Sequence, residues 1–186
     1  MTPEVLGRAL GEAPDPELAR LAVSRVGERP VARDLLARPE IIPAAARLLG
    51  FSRAASDFFL AHPEELEALS DVRPRTLSEL VEEAARDVAA FGPEAGLRRF
   101  RRRAGYRIAA RDLSGADVEG VMAELTSVAE GCLQAATAAV KGSTEEAQSL
   151  AVVGMGKLGG RELNYSSDVD VLFLHRAAGS RAQEAA

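Results

Sequence analysis

Asp168 and Asp170 are the residues of this chain best placed to do chemistry. They open the run Asp168-Val169-Asp170-Val171-Leu172-Phe173-Leu174, which alternates and then becomes wholly apolar. The pattern predicts a strand, and in a strand side chains two apart share a face. The two carboxylates then project side by side, with Val169 and Val171 turned the other way into the core. Neighbouring carboxylates repel each other, so the arrangement costs stability unless a hard cation lies between them. Mg²⁺ takes oxygen ligands and binds through one or two carboxylates together with substrate phosphates. Upstream, Leu150-Ala151-Val152-Val153 reads as a short buried strand, and Gly154, Gly156, Gly159 and Gly160 follow it. Glycines let a backbone approach a ligand closely, and their N–H groups can meet phosphate oxygens. Strand, glycine loop, then Asp-x-Asp on a second strand is the layout of a metal-dependent nucleotidyl-transfer site.

Other glycine-loop chemistries fit less well. Gly154-Met155-Gly156-Lys157-Leu158-Gly159 matches the dinucleotide fingerprint G-x-G-x-x-G, which must open a crossover helix inside a βαβ unit. Asn164-Tyr165-Ser166-Ser167 reads as a turn, and no crossover helix fits before Asp168. A phosphate-binding P-loop fails because Leu158, not Ser or Thr, follows Gly156-Lys157, and Ala151 stands where its first glycine should be. The plainer alternative is a glycine-rich hairpin with two solvated aspartates.

The stretch GMGKLGGRELNYSSDVDVLFLH resembles the signature of the glutamine synthetase adenylyltransferase/adenylyl-removing enzyme family, within the DNA polymerase beta-like nucleotidyltransferases. Two upstream stretches resemble the same family, in the same order. One runs from Gly50-Phe51-Ser52 to Phe58-Phe59-Leu60-Ala61-His62-Pro63-Glu64. The other runs from Leu97-Arg98-Arg99-Phe100-Arg101-Arg102-Arg103 to Arg107-Ile108-Ala109-Ala110-Arg111-Asp112-Leu113. The resemblance implies a nucleotidyltransferase acting on an AMP–tyrosine bond of glutamine synthetase. Asn-Tyr-Ser-Ser-Asp before the acids looks like the deadenylylating, amino-terminal copy, which releases ADP by phosphorolysis. A second copy in the whole enzyme would add AMP from ATP, under control of the PII signalling protein. By the same resemblance Asp168 and Asp170 would hold Mg²⁺, and Gly159 and Gly160 with Ser166 or Ser167 would cradle the nucleotide phosphates. A third carboxylate would come from a later strand, so these 186 residues would be inactive alone. A second class of reading is a helical interaction module whose hairpin is structural. A third is another polymerase beta-like enzyme acting on RNA or a small molecule.

The rest of the chain must position that segment, and it reads as helical. The composition is 47% hydrophobic and 4% aromatic with no Trp, which suits an aliphatic, alanine-rich core. A net charge of −5 argues against a general nucleic-acid binder. The single Cys132 excludes an intramolecular disulfide, and no secretion signal or membrane-length apolar run is visible, so a cytoplasmic location is expected. The expected division is a helical region over 1–145 and the start of an α/β nucleotidyltransferase domain over 146–186. A polar break at Lys141-Gly142-Ser143-Thr144-Glu145-Glu146 separates the two, and 176–186 reads as a structureless tail. A hairpin alone is not a stable sheet, so the chain reads as the front of a longer protein.

Within the helical region, Asp15-Pro16-Glu17 starts a helix whose apolar positions are Leu18, Leu21, Ala22 and Val26. Pro30, Pro39 and Pro43 keep the next segments short, and Gly50 closes a helix over 44–49. Ser52 caps a helix over 53–61. His62-Pro63 restarts one, with His62 as a cap or packed imidazole. Thr76-Leu77-Ser78-Glu79 is a capping box opening a helix that ends at Phe91-Gly92-Pro93. The next helix, about 94–111, carries Arg98, Arg99, Arg101, Arg102, Arg103, Arg107 and Arg111, read mainly as a solvated face paired with acids such as Glu82, Glu83 and Asp87. Ser114-Gly115-Ala116-Asp117 is read as a second capping box, opening a long helix with Val118, Val121, Met122, Leu125, Val128, Cys132 and Leu133 on its apolar face. Cys132 is then a small core residue rather than a nucleophile. His175 ends the second strand.

Overall fold

Proline and side-chain caps dictate where the helices begin. A computed structural model of the chain describes residues 2–141 and 150–174. Helices α1 (Pro3–Gly11), α2 (Pro16–Val26) and α3 (Pro30–Leu36) each carry proline in the first turn, where the missing N–H is no loss. Asp15 caps α2 by accepting from the N–H groups of Glu17 and Leu18 at 3.0 and 2.9 Å. Helix α4 (Ile42–Leu49) ends at Gly50, and α5 (Arg53–Ala61) is capped by Ser52 through the Ala55 N–H. The restart at Pro63 is a 3-10 helix, Pro63–Ser70. His62 sits at the junction with its ring 5.1 Å from that of Phe58, so it is a packed imidazole at a helix end. Helix α6 (Leu77–Phe91) starts from the Thr76/Glu79 capping box, α7 spans Pro93–Asp112, and α8 spans Val118–Lys141.

The chain forms two compact units. The first comprises Met1–Pro74 with Arg103–Val118, and the second comprises Arg75–Arg102 with Glu119–Ala186. Of the polar break Lys141–Glu146, Lys141 ends α8 and the rest lies outside the described residues, as do His175 and the tail at 176–186.

The first unit is all helical. Its core gathers Val26, Ile41, Ile42, Leu48, Leu49, Phe59, Leu66 and Leu69, all at most 1% exposed. Burying each of these side chains is worth about 1.5–3 kcal/mol. Tyr106 from the second half of α7 closes on Phe58 and Phe59, with ring centroids 5.2 and 5.8 Å away. Arg103 bonds the buried Glu65 at 3.3 Å, and the buried Arg107 donates to the Arg73 carbonyl at 2.7 Å. Arg103 thus pairs with an acid, Glu65, while Arg107 is buried on a backbone carbonyl rather than placed on a solvated face. The apolar face of α2 holds at Ala22 and Val26, with Leu18 half-buried, and departs from expectation at Leu21. Ala19, Ala22 and Val26 are buried, while Leu21 is 66% exposed. A face of small alanines allows close helix packing that the larger Leu21 would block.

In the second unit α6, the first part of α7 and α8 carry a small antiparallel hairpin. Leu80, Ala84, Phe100, Val121, Val128 and Ala135 are buried, and Arg99 stacks over the Phe91 ring at 4.4 Å. Arg75 donates its backbone N–H to Glu124 at 2.9 Å and its side chain faces Glu83 at 3.7 Å. The expected capping box at Ser114 is not formed. The Ser114 hydroxyl donates to the Ala110 carbonyl at 2.8 Å, so it finishes α7 instead, and α8 begins only at Val118, itself 68% exposed. The intervening Gly115, at φ 90°, breaks the chain between the two helices.

Strands β1 (Ala151–Gly154) and β2 (Val171–Leu174) pair antiparallel, in the register Ala151 with Leu174 through Gly154 with Val171. Antiparallel neighbours rule out the βαβ unit that the dinucleotide fingerprint requires. Between them lies a four-residue helix α9 (Gly156–Gly159), where a loop was expected. Neither strand is buried as expected: Val153, Leu172, Phe173 and Leu174 are all 40% exposed or more. Among the described residues the fold is therefore mostly helical, with one two-stranded sheet. No described helix is long and apolar enough to cross a membrane.

Candidate active site

Asp168 and Asp170 lie just ahead of β2 rather than within it. The strand begins at Val171 because its partner β1 ends at Gly154 and the chain then turns into α9. One further hydrogen bond, from the Met155 N–H to the Asp170 carbonyl at 2.8 Å, extends the pairing by a single residue. Val169, expected in the core, is 47% exposed. Both aspartates are exposed. The Asp170 carboxylate lies against Gly156, where a Cβ would come within 3.0 Å of its Oδ2. Gly156 also has φ 50°, a conformation glycine adopts without strain. The second acid thus sits at the start of the α9 turn.

The α9 glycines have local jobs. A Cβ on Gly159 would come within 2.7 Å of the Gly154 carbonyl, so the turn can fold back on β1 only with glycine there. The N–H groups of Gly159 and Gly160 donate to the carbonyls of Met155 and Gly156 at 3.0 and 2.9 Å. They are turned into the helical turn, which differs from the expectation that they face a phosphate. Leu158 is buried and anchors the turn.

The segment from α9 to the acids is fastened to α8. Arg161 adopts φ 60°, which costs a non-glycine residue about 1 kcal/mol or more. Its guanidinium reaches Glu130 at 3.3 Å and Ser127 at 3.1 Å. Leu163 is buried, and its N–H donates to the Thr126 hydroxyl at 3.3 Å. A tight turn follows. Asn164 accepts from the Ser166 N–H at 3.0 Å through its side chain, and its own N–H donates to the Ser167 hydroxyl oxygen at 3.0 Å. Ser166 is exposed and Ser167 half-buried, next to Asp168. Sequence reasoning missed the α8 partners. Thr126 and Ser127 interrupt an otherwise apolar stripe, and that interruption was the available signal.

Both carboxylates are oxygen donors of the kind Mg²⁺ prefers, and they stand two residues apart on an exposed segment. Among the described residues no cluster of three Asp, Glu, His or Cys is found. Two carboxylates with phosphate oxygens and water suffice for Mg²⁺, so the residues present fit that ion. Cys132, on α8, is not a competing nucleophile: burial pushes its thiol up to about 11.

Comparisons with known proteins agree on one family. A model of the glutamate-ammonia ligase adenylyltransferase family matches residues 43–186. The bifunctional glutamine synthetase adenylyltransferase/adenylyl-removing enzyme of Streptomyces avermitilis is 39% identical over 188 residues, covering 94% of this chain and 19% of that protein. Its counterpart in Streptomyces coelicolor is 40% identical, covering 97% and 20%. That of Thioalkalivibrio sulfidiphilus is 37% identical, covering 91% and 19%. The chain thus spans about a fifth of the length of these curated relatives.

Proposed function

The chain belongs to the glutamate-ammonia ligase adenylyltransferase family, and on that footing we propose that it carries the deadenylylating nucleotidyltransferase site of a glutamine synthetase-modifying enzyme. The observation that carries the proposal is the Asp168/Asp170 pair, exposed beside the α9 turn at the start of β2. The hairpin and α9 are the beginning of a polymerase beta-like domain. In the reaction an oxygen of inorganic phosphate attacks the phosphorus of AMP on a glutamine synthetase tyrosine. The bond from phosphorus to the tyrosine oxygen breaks, the tyrosine regains its proton, and ADP leaves. Asp168 and Asp170 would hold Mg²⁺ through their carboxylate oxygens. The ion neutralises phosphate charge when bound. Ser166 and Ser167, in the turn before the acids, lend hydroxyl donors to phosphate oxygens. Gly159 and Gly160 contribute shape, since their N–H groups are used inside the turn. In the whole protein a second site adds AMP from ATP, the PII protein regulates both, and the setting is cytoplasmic.

The test is release of ADP from adenylylated glutamine synthetase by the full gene product, with Mg²⁺ and phosphate. Asp168→Asn with Asp170→Asn is expected to lower the rate by at least about 100-fold while leaving AMP addition in place. Equal rates would assign the chemistry elsewhere and favour a structural hairpin.

A further inference from the structure

The loop that carries the acids is pinned by a residue in a conformation it would not otherwise choose. Arg161 has φ 60°, and its guanidinium spans Glu130 at 3.3 and 3.4 Å, the Ser127 hydroxyl at 3.1 Å and the Ala123 carbonyl at 3.5 Å. Such a backbone persists only where its surroundings over-determine it. An ion pair whose side chains are 51% and 30% exposed adds little stability by itself. Its effect is on placement. Two residues on, Leu163 is buried and bonded to Thr126, which is fully buried. The Asn164–Ser167 turn then leads directly to Asp168. Asp168 itself lies outside both helix and strand. The chain of fixed contacts behind it therefore begins at α8.

We propose that Arg161 is a positioning residue: its grip on Glu130, Ser127 and Ala123 of α8 fixes the loop that places Asp168 and Asp170 for a divalent cation and its phosphate ligand. This rests on the reading of the two aspartates as the metal site. Groups that hold metal ligands in place characteristically affect metal affinity when they are removed, even where they never touch the ion.

Two readouts test it without any assay of activity. One is Mn²⁺ affinity of the chain, followed by electron paramagnetic resonance. The other is amide hydrogen exchange at Leu163, Ser166 and Ser167, with the α6 amides around Leu80 as the folding control. Arg161→Asn removes the guanidinium and keeps a residue that tolerates positive φ. It is expected to weaken Mn²⁺ binding at least about 10-fold and to speed exchange at Leu163, with α6 unchanged. Wild-type Mn²⁺ affinity in Arg161→Asn would overturn the proposal while leaving the role of the acids intact. Identical Mn²⁺ titrations for the wild type and Asp168→Asn/Asp170→Asn would instead overturn the metal reading, and the proposal with it. Should Arg161→Asn disturb α6, Glu130→Gln decides. A several-fold weaker Mn²⁺ affinity supports the proposal and an unchanged one overturns it.

Discussion

At Gly159 the space a side chain would need is already taken by the Gly154 carbonyl, 2.7 Å from where a Cβ would stand. Gly159→Ala should therefore force α9 off β1. A loss of about 1–3 kcal/mol in urea denaturation is expected, and an unchanged midpoint would contradict the packing described. The sequence marked these glycines as special but not why. Four residues of helix leave no periodicity to read, so N–H groups that looked available to a phosphate are spent inside the turn. The two aspartates stand ahead of the strand rather than within it, and Val169 between them is exposed rather than in the core. Cys132 offers a pH test at the same scale. Burial raises its thiol from 9.0 to about 11, with Arg101 opposing, so the folded chain keeps a proton that the unfolded chain loses. Stability should be insensitive to this group below pH 9 and fall as pH rises from 9 to 11. Replacing Cys132 by Ala should flatten that part of the stability–pH curve.

At the level of elements, starts were easier to read than faces. Thr76 and Glu79 form the capping box their spacing announces, with the Thr76 N–H donating to Glu79 at 2.8 Å. Thr76→Ala should cost about 1 kcal/mol, seen as a lower thermal midpoint. Ser114 and Asp117 offered the same spacing, yet the hydroxyl caps the preceding helix because Gly115 breaks the chain between them. On α2 the buried face includes Ala22 and Val26 as expected, with Ala19 in place of Leu21. Leu21→Gln should leave stability within about 0.5 kcal/mol of wild type. Ala19→Leu should cost about 1–3 kcal/mol by overpacking. The reverse ranking would contradict the described face. On α8 the sequence showed an apolar stripe, but Thr126, Ser127 and Glu124 are buried in it because other segments bond to them. The polar interruption of the stripe marks that such partners exist, but not which segments supply them.

Over the whole molecule, the helical character and the family were legible, and the grouping of the helices was not. Segment 103–118 joins the first unit across a long sequence separation, through Arg103 on Glu65 and Arg107 on the Arg73 carbonyl. Arginines that read as a solvated face are in these two cases connectors, Arg103 half-buried and Arg107 buried. Arg103→Ala takes a charged hydrogen-bond donor from the buried Glu65 carboxylate, and a loss of about 1–3 kcal/mol in chemical denaturation is expected. Arg8→Ala, at a pair with side chains 81% and 43% exposed, should leave the curve unchanged. The central claim is that Asp168 and Asp170 form a divalent-cation site beside the α9 turn. The most direct measurement is Mn²⁺-induced relaxation of the backbone amides by NMR. The account predicts broadening centred on Gly156 and residues 167–170, abolished by Asp168→Asn with Asp170→Asn. Broadening spread over the acidic surface, or unchanged in the double variant, would contradict it.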